Sequence, residues 1–286
     1  MSGTQSLINR KITFFGAGAM AEAIARGLIA RKVVSPEKIT MFNRSNQDRL
    51  VELHRKYNVT TAEDAASKET ALTQADLIIL SMKPKDAAES LRYLGPLLSN
   101  KQVVVSVIAG LTIETIQNLL GRTAAVVRTM PNTSSSIGLG ATGIAFSPEV
   151  TEEDRQIVNT VFEAIGTITL IEEEHFETLT GISGSGPAYI YYMMEAMVEA
   201  GVKGGLTAEQ AHDLTVQTVL GAARMVQQTG EAPATLRRNV TSPNGSTQAA
   251  IEVLAKGHFS ETVIAAVHRC ADRSREMGEE LKEAAR

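Results

Sequence analysis

The sequence predicts an α/β protein, with a doubly wound sheet in its N-terminal part and an all-helical part after it. Up to about residue 171, short apolar runs rich in β-branched residues alternate with helical patterns. Strands that are apolar almost throughout are typical of a parallel sheet covered by helices on both faces. After residue 171 no further strand pattern occurs. We therefore expect two domains, at residues 1–171 and 172–286, and a chain of 286 residues is long enough to give each a core.

The predicted strands are short, and the helices begin at recognisable N-caps. Thr112 and Thr151 each precede a helical run, and three acidic residues follow Thr151, where the helix macrodipole favours them. Thr207 and Gln210 have the spacing of a capping box, and the helix that they open should end at Gly230. We place the strands at 11–15, 38–42, 77–80, 103–108, 124–127, 142–146 and 167–171.

The helical half is rich in small residues and methionine. Many of its positions at helical spacing are alanine or glycine, which allows helices to approach closely. Met193, Met194, Met197 and Met225 are more typical of a core than of a ligand site. Because a helical half of this size has a limited interior, we expect these faces to serve a subunit interface as well.

Composition excludes several classes of protein. A net charge of −4 gives no reason to expect nucleic acid or an anionic membrane surface as a partner. The single cysteine, Cys270, excludes a disulfide framework and favours a reducing, cytoplasmic compartment. Residues 1–10 lack the apolar run of a signal peptide, and the apolar stretch 188–198 is too short to span a membrane. The histidines are scattered without ligand spacing, so we predict no metal site.

A glycine turn close to the N-terminus predicts a dinucleotide site. The apolar strand 11–15 runs into a G-x-G-x-x-A turn, and an amphipathic helix follows. Gly16 permits the tight turn, Gly18 lets the backbone approach the phosphates, and Ala21 is small enough for the helix to pack on the strand. The alternative is a strand-to-helix turn without a ligand. The predicted cofactor contacts in this segment are Gly16, Ala17, Gly18, Ala19, Met20 and Ala21.

The end of the second strand favours NADP over NAD. An NAD site usually has an acidic residue here that accepts from the ribose 2′-hydroxyl. This chain has Asn43, Arg44 and Ser45 instead, an amide, a guanidinium and a hydroxyl that suit a 2′-phosphate. The alternative for Arg44 is an ordinary solvated loop residue. We expect NADPH or NADP as the cofactor, with NADH possible.

Further loops lie where such a sheet presents the carboxyl ends of its strands, the edge at which ligands bind. After 77–80 comes Ser81-Met82-Lys83-Pro84, with Lys83 at the mouth of the crevice and Pro84 suited to the first turn of a helix. After 103–108 come Ala109 and Gly110, and after the next strand comes the segment 129–133. A surface lysine is the alternative for Lys83.

Two loops of the helical half are rich in glycine and hydroxyl groups. The segment 180–187 is a run of small residues, with Pro187 suited to the start of the next helix. The segment 239–247 opens a helix over 248–256 and could bind a carboxylate with backbone N–H groups. Plain helix capping by Ser246 or Thr247 is the alternative.

These segments together resemble the pyrroline-5-carboxylate reductase family. The resemblance rests on Gly-Ala-Gly-Ala-Met-Ala at 16–21, Met-Lys-Pro at 82–84, Gly-Ile-Ser-Gly-Ser-Gly-Pro-Ala-Tyr at 181–189 and Val-Thr-Ser-Pro-Asn-Gly-Ser-Thr at 240–247. The segments span most of the chain in the family's order. The resemblance implies a Rossmann domain followed by a helical dimerisation domain. It also implies reduction of a cyclic imine carboxylate to L-proline by NAD(P)H, in homodimers that can assemble further into a decamer.

By matching motifs, the resemblance also implies roles for single residues. Ser81, Lys83, Ala109 and Asn239 should line the cofactor together with the glycine turn. The proline site should be lined by Glu173, Thr180, Ser246 and Thr247, with the Thr247 hydroxyl facing the ring nitrogen. Because a cyclic imine is basic enough to arrive protonated, no dedicated strong acid is required, and Thr247 is expected to orient the substrate.

The chain departs from the family at two places. Members often carry Ser-Pro-Gly-Gly where this chain has Asn244 in third position, and asparagine tolerates unusual backbone angles. Many members also have an asparagine before the strand that leads to Lys-Pro, where this chain reads Asp64-Ala65-Ala66-Ser67. The rival functions are another NADP-dependent imine reductase, a β-hydroxyacid dehydrogenase and a non-catalytic nucleotide sensor. Hydroxyacid enzymes generally need a catalytic lysine in the helical half, and Lys203, Lys256 and Lys282 lie in no such motif.

Overall fold

A computed structural model describes residues 9–284 of the chain. The N-terminal part forms one eight-stranded sheet with helices between the strands, and this confirms the predicted fold class. The sequence prediction about a leader concerns residues 1–10, of which 1–8 lie outside the described residues. The strands are β1 (Ile12–Phe15), β2 (Ile39–Phe42), β3 (Thr60–Thr61), β4 (Leu77–Leu80), β5 (Val103–Ser106), β6 (Ala125–Met130), β7 (Gly140–Phe146) and β8 (Gly166–Leu170).

Helices occur both between the strands and in the strand-free C-terminal part of the described chain. Those of the sheet-containing part are α1 (Ala19–Ala30), α2 (Gln47–Tyr57), α3 (Ala65–Gln74), α4 (Ala87–Leu94), α5 (Ile113–Leu120) and α6 (Glu152–Glu163). From residue 172 onward the described chain contains helices and no strand: α7 (Phe176–Leu179), α8 (Gly186–Lys203), α9 (Ala208–Thr229), α10 (Pro233–Asn239), α11 (Ser246–Lys256) and α12 (Phe259–Ala284).

The order of the strands creates a crevice at the carboxyl ends of β1 and β4. The sheet runs β3-β2-β1-β4-β5-β6-β7-β8, so chain order reverses on the two sides of β1. In register, Ile12 of β1 lies beside Ile39 of β2 and Leu77 of β4, and all three strands are parallel. A reversal of this kind is the point at which doubly wound sheets bind ligands.

Apolar side chains on both faces of the sheet explain the apolar runs in the sequence. Along β4, Ile79 joins the hydrophobic cluster on one face, while Ile78 and Leu80 join the cluster on the other. All three are fully buried. Because successive strand residues point to opposite faces, a strand covered on both sides needs an apolar residue at every position.

The pairing of β7 differs from the parallel pattern of the other strands. β6 and β7 are antiparallel, with Val127 beside Phe146. Residues 131–139 connect the two strands and contain a short 3₁₀ helix, Thr133–Ile137. Two neighbouring parallel strands need a crossover connection of about a dozen residues or more. The connection between β6 and β7 is too short for such a crossover, so the two strands pair antiparallel. A separate difference concerns β3, which the sequence analysis did not predict. This strand consists only of Thr60 and Thr61 at the edge of the sheet.

The predicted helix caps are confirmed, with one exception. Thr112, Thr151 and Thr207 each accept a hydrogen bond from the backbone N–H three residues on, and Thr207 and Gln210 form the complete capping box. Gly230 ends its helix with φ of +70°. The exception is α11, which begins at Ser246 with Gly245 as N-cap and no side-chain cap. Capping by Ser246 or Thr247 was therefore a wrong alternative, because both residues already lie inside the first turn.

The chain divides into two compact units. The first contains the sheet, the segment up to Ser185 and the residues from Arg269 onward, and the second is 186–268. In the second unit α8 and α9 pack closely, since a Cβ atom on Gly201 would lie 2.9 Å from that of Ala211. The predicted domain boundary between residues 171 and 172 stays a prediction.

Candidate active site

The glycine turn has the geometry that its sequence predicts. Gly16 follows β1 with φ of +118°, and its N–H donates to the carbonyl oxygen of Phe42 (2.9 Å). A Cβ atom here would lie 2.5 Å from the backbone carbonyl of Ser81, so this position accepts no side chain. Ala21 is fully buried in the core beneath the sheet face. The turn thus joins β1, β2 and the end of β4 at one point.

The next part of the turn is open where a phosphate group would bind. Gly18 is the N-cap of α1, and a Cβ atom on it would meet nothing within 4 Å. No side chain caps this helix, so its first N–H groups are not taken by a side-chain acceptor. An uncapped helix N-terminus beside an open glycine attracts an anion. These residues fit a dinucleotide pyrophosphate, with Ala19 and Met20 in the first turn.

A half-buried ionic network that sequence reasoning missed braces this turn. Arg49 of α2 donates through Nε to the carbonyl oxygen of Ala17 (3.2 Å) and through Nη2 to Glu22 of α1. Lys56 and Tyr57 donate to the other oxygen of Glu22, at 2.8 and 2.6 Å. Burial by itself would raise the pKa of Glu22, but these three donors outweigh it and lower that pKa to about 2.

The loop after β2 places Arg44 at the edge of the crevice. Asn43 holds the loop, because its side chain exchanges two hydrogen bonds of 2.8 Å with the backbone of Asn46. The Arg44 side chain is 74% exposed, so a ligand can reach its guanidinium, which pairs with Asp86 (3.0 Å). Asp86 follows Lys83 and Pro84, so this ion pair joins the two loops predicted to hold the cofactor.

Ser81 and Lys83 lie at the end of β4 as predicted. Ser81 Oγ donates to the carbonyl oxygen of Gly16 (2.9 Å), which ties the end of β4 to the glycine turn. Lys83 is exposed and precedes the 3₁₀ turn Pro84–Asp86, with Pro84 at its first position. Asp64, where family members have an asparagine nearby, is instead the N-cap of α3 and accepts from Ser67 N (2.8 Å).

A cavity of about 430 Å³ lies beside the loop after β5. The loop that follows β5 comes close to the last helix at this place, because a Cβ atom on Gly278 would lie 2.7 Å from the carbonyl oxygen of Gly110. Two predicted site residues, Ala109 and Thr180, both line this cavity. The side chains and backbone that line it include those of Ala109, Gly110, Thr180, Ser185, Cys270 and Ser274.

Polar groups are unevenly satisfied in this cavity. Cys270 Sγ and Ser185 Oγ lie 3.1 Å apart, and the Thr180 hydroxyl donates to the carbonyl oxygen of Phe176 (2.8 Å). Ser274 is buried, and its hydroxyl has no hydrogen-bond partner within residues 9–284. A buried polar group without a partner costs free energy, so a bound molecule that supplied one would be favoured here.

Glu173 belongs to a second ionic network, which reaches the first residue of α5 after the β5 loop. Its Oε1 accepts from the backbone N–H of Ile113 (2.7 Å) and from Nη1 of Arg128 (3.3 Å). The Arg128 side chain is only 4% exposed, and its Nη2 donates to Glu177 (2.9 Å). The guanidinium also lies over the ring of Phe176, 4.5 Å from its centroid. Sequence reasoning missed Arg128, and an arginine inside an apolar strand pattern was the signal that could have found it.

The remaining predicted residues belong to the second unit. Asn239 is the last residue of α10 and is exposed. Asn244 adopts φ of +57°, as its place in the glycine-like position of the loop predicts. Ser246 and Thr247 form the first turn of α11, where the former is exposed and the latter half-buried. The structure thus places the glycine turn, Arg44, Ser81, Lys83 and Ala109 at the carboxyl ends of β1, β2, β4 and β5. It places Asn239, Ser246 and Thr247 at the ends of two helices of the second unit.

Over residues 9–284, no three histidine, cysteine or acidic side chains are grouped as metal ligands. In the same range, no helix is both long enough and apolar enough to cross a membrane.

The fold and the glycine turn together define the class: a dinucleotide-binding protein of the Rossmann type with a helical C-terminal part. Comparison with known proteins agrees in both parts. Residues 11–110 match a family model described as NADP oxidoreductase, coenzyme F420-dependent, and residues 173–277 match one described as pyrroline-5-carboxylate reductase dimerisation.

Relatives of known name match nearly the whole chain. Pyrroline-5-carboxylate reductase 2 of Bacillus subtilis is 45% identical over 96% of this chain and 98% of its own length. The enzyme of the same name from Arabidopsis thaliana is 39% identical over 94% of this chain and 96% of its own length. The chain therefore belongs to the pyrroline-5-carboxylate reductase family, which consists of oxidoreductases.

Solved structures of the family have the same fold. The pyrroline-5-carboxylate reductase of Coxiella burnetii is 38% identical and superposes with a TM-score of 0.87 over 94% of this chain and 98% of its own. Pyrroline carboxylate reductase of Plasmodium falciparum, solved with NADP bound, is 30% identical with a TM-score of 0.85 over 95% of this chain and 99% of its own. An NAD(P)H cofactor therefore agrees with both the family and the glycine turn.

Proposed function

We propose that this protein reduces 1-pyrroline-5-carboxylate to L-proline with NADPH, the last step of proline biosynthesis. The observation that carries the proposal is similarity along the whole chain to enzymes of that name, at 36 to 45% identity, which includes both the cofactor part and the helical part. A similarity confined to the nucleotide-binding part would support only the cofactor.

Bound NADPH would supply the hydride that reduces the C=N bond of the imine. The N–H groups at the start of α1 and the open position at Gly18 bind the pyrophosphate, and Arg44 and Asn43 address the ribose 2′-phosphate. Ser81 and Lys83 lie along the same edge. Ala109 borders the cavity in which the reacting groups meet, and the cofactor carries the hard chemistry while the protein positions it. Asn239 completes the proposed cofactor contacts from the second unit.

The substrate contacts are proposed for residues of both units. Thr180 lines the cavity, whereas Ser246 and Thr247 begin a helix. Glu173, which the family resemblance assigns to the proline site, bonds Ile113 N and Arg128 in the structure. The N–H groups of that helix bind the substrate carboxylate, and the Thr247 hydroxyl bonds the ring nitrogen. The imine is basic enough to be protonated before reduction, so the hydroxyl orients the substrate and no strong acid is needed.

Self-association belongs to the same proposal. The family model that matches residues 173–277 is described by dimerisation, and many apolar side chains of the second unit are exposed in the single chain. Exposed apolar surface of this extent marks an interface. A homodimer is the proposed unit, with a decamer as a higher assembly, and the single Cys270 fits a cytoplasmic location.

The direct test is consumption of NADPH in the presence of 1-pyrroline-5-carboxylate, followed by absorbance, with L-proline identified as the product. NADH in place of NADPH gives the cofactor preference. A six-membered cyclic imine with NADPH and a β-hydroxyacid with NADP⁺ serve as alternative substrates in separate assays. Faster turnover of either than of 1-pyrroline-5-carboxylate would contradict the proposal, and binding of NADPH without any turnover would indicate a nucleotide sensor instead.

Thr247→Ala tests the proposed role of the hydroxyl. The loss of one hydrogen bond to a charged partner, about 1.5–3 kcal/mol, lowers kcat/KM for the imine roughly ten- to a hundredfold. Thr247→Ser keeps the hydroxyl and should stay close to the parent. Because Gly245 is the N-cap, Thr247→Ala should not lower the melting temperature. A loss of activity matched by a loss of stability would assign the hydroxyl to the fold.

A further inference from the structure

The loop that follows β5 forms part of the cavity wall, and its position depends on the contacts that hold its two ends. Residues 107–112 leave the sheet at Ser106 and contain Ala109 and Gly110, which border the cavity. Gly110 has φ of +76°, so the loop turns sharply there. One end of the loop is held by β5, and its other end becomes the first turn of α5. A contact that holds the first turn of α5 in place therefore also holds the end of the loop in place.

Glu173 makes that attachment from 60 residues further along the chain. The first N–H groups of a helix have no partner within the helix. At α5, Thr112 Oγ1 accepts from Thr115 N (3.1 Å), and Glu173 Oε1 accepts from Ile113 N (2.7 Å). A carboxylate also suits the positive end of the helix dipole. Glu173 thus stabilises the first helical residue after the loop.

Arg128 holds Glu173 in this position. Arg128 lies on β6 directly beside Ser106, the residue at which the loop begins. Its buried guanidinium bonds Glu173 on one side and Glu177 on the other, over the Phe176 ring. Such charge-assisted bonds in a buried setting restrict both carboxylates. The same network therefore touches the loop at its start and at its end.

The segment after Glu173 contributes to the lining of the same cavity. Thr180 and Ser185 line the same cavity as Ala109 and Gly110, and Glu173 precedes Thr180 in the chain by two short helical turns. We propose that Glu173 is a positioning residue for hydride transfer, which holds the 107–112 loop against the 180–185 segment through Ile113 N and Arg128. The proposal rests on the proposed function, because it assigns these walls to the reacting ends of cofactor and imine.

The chain offers a matched control in Glu177. The hydrogen bond that the structure gives Glu177 goes to the same guanidinium, at 2.9 Å, while Glu173 bonds both the guanidinium and Ile113 N. Glu177→Gln therefore removes one of the two charges around Arg128 and leaves the attachment of the loop in place. Glu173→Gln keeps an oxygen that can accept from Ile113 N, and Glu173→Ala removes it.

Two readouts decide the proposal in the full-length protein. The first is amide hydrogen exchange at Ile113, which should accelerate in Glu173→Ala and stay slow in Glu177→Gln. The second is steady-state kinetics with the imine and 4-deuterated NADPH. Since a misplacement of about 1 Å costs up to a hundredfold, kcat of Glu173→Ala should fall roughly ten- to a hundredfold with a larger deuterium isotope effect. Glu173→Gln should recover much of the loss, and KM for the imine should change far less than kcat.

Several outcomes would overturn the proposal. A raised KM for the imine with unchanged kcat would make Glu173 a direct substrate contact. An equal loss in Glu177→Gln would assign the effect to the charge around Arg128, and unchanged exchange at Ile113 would remove the attachment itself. If Glu173→Ala does not fold, Glu173→Asp, whose shorter side chain reaches Ile113 N less well, takes its place. If the parent protein does not reduce the imine, the proposed function fails, and exchange at Ile113 alone decides the attachment.

Discussion

The two compact units bury their apolar side chains to very different extents. In the first unit Phe14, Ile24 and Ile79 are fully buried, as are most of the aliphatic residues of the strands. Among residues 186–268, by contrast, the buried side chains are those of Ala211 and Thr215. Large apolar residues there are exposed, among them Ile190, Tyr191, Tyr192, Leu214, Leu220, Met225, Val253 and Ile264. The first unit thus has a complete core in one chain, and the second has apolar faces that require covering.

The proposed site residues divide in the same way. The glycine turn, Arg44, Ser81 and Ala109 lie on one sheet edge of the first unit. Ser246 and Thr247 lie at a helix start of the second unit, whose apolar faces are uncovered in a single chain. Because all the proposed cofactor contacts except Asn239 lie in the first unit, we expect cofactor binding to depend mainly on one chain and imine reduction to depend on self-association.

The first prediction introduces one aspartate at an exposed apolar residue of each unit and compares the effects on assembly and activity. Leu220 is 47% exposed on α9 and Val51 is 60% exposed on α2. An aspartate in an apolar interface leaves a buried unpaired charge, which costs several kcal/mol. Leu220→Asp should convert the oligomer to monomers in light scattering and lower kcat/KM more than about a hundredfold, while the affinity for NADPH changes little.

Val51→Asp is the control for the same substitution at an exposed apolar residue. It should leave both the oligomer and kcat/KM close to those of the parent, because a surface substitution outside an interface costs within about 0.5 kcal/mol. An active, monomeric Leu220→Asp variant would show that the apolar faces of the second unit do not couple assembly to catalysis.

The second prediction separates folding from binding within the first unit. Gly16→Ala places a Cβ atom 2.5 Å from the Ser81 carbonyl at φ of +118°, so it should lower the free energy of unfolding by about 1–3 kcal/mol or more. Gly18→Ala meets nothing within 4 Å and has φ of −79°. Its melting temperature should stay near that of the parent while NADPH affinity, measured by calorimetry, falls roughly tenfold, because the methyl group occupies the place of a phosphate.

Equal losses of stability in the two variants would mean that the turn is not open at Gly18. An affinity of Gly18→Ala for NADPH equal to that of the parent protein would mean that the pyrophosphate does not approach Gly18. Either result would remove the turn from the cofactor site and leave the first unit with a fold but no assigned ligand edge.

The sequence predicted those parts of the molecule that depend on local signals. The caps at Thr112 and Thr207 and the turn at Gly16 are set by residues within a few positions, and all three are confirmed. The antiparallel β7 depends on the length of a connection, which apolar patterning does not report. Arg128 and Glu173 meet across 45 residues, and Arg49 meets Ala17 across 32, so no local pattern predicts either contact.

The third prediction concerns Glu22, whose ionic network within the first unit braces the glycine turn. Glu22 has its pKa lowered from 4.5 to about 2, so its carboxylate contributes stability above about pH 4.5 that is lost as pH falls toward 2. Glu22→Gln should lower the free energy of unfolding at neutral pH by about 1.5–3 kcal/mol, and the difference should shrink as pH falls through this range. Chemical denaturation at several pH values measures it.

Glu52→Gln is the matched control, because Glu52 pairs with the same guanidinium at 2.7 Å but is 46% exposed. An exposed pair of this kind contributes within about 1 kcal/mol. If Glu22→Gln cost no more than Glu52→Gln, or if its cost did not depend on pH, the network around Arg49 would not be what braces the turn.

The smallest expected effect lies at the most exposed edge of the first unit, where one arginine has two possible partners. Arg44→Ala should raise KM for NADPH roughly tenfold and leave NADH little changed, since a charged hydrogen bond to the 2′-phosphate is lost. Asp86 competes with the phosphate for that guanidinium, which it pairs with at 3.0 Å, so Asp86→Asn should lower KM for NADPH. Because exposed pairs contribute about 0.2–1 kcal/mol, the gain should be at most about fivefold, and it should disappear in the Arg44→Ala background. A gain that persisted there would mean that Asp86 acts on the phosphate directly and not through Arg44. Equal changes for NADH and NADPH would mean that this edge does not read the 2′-position at all.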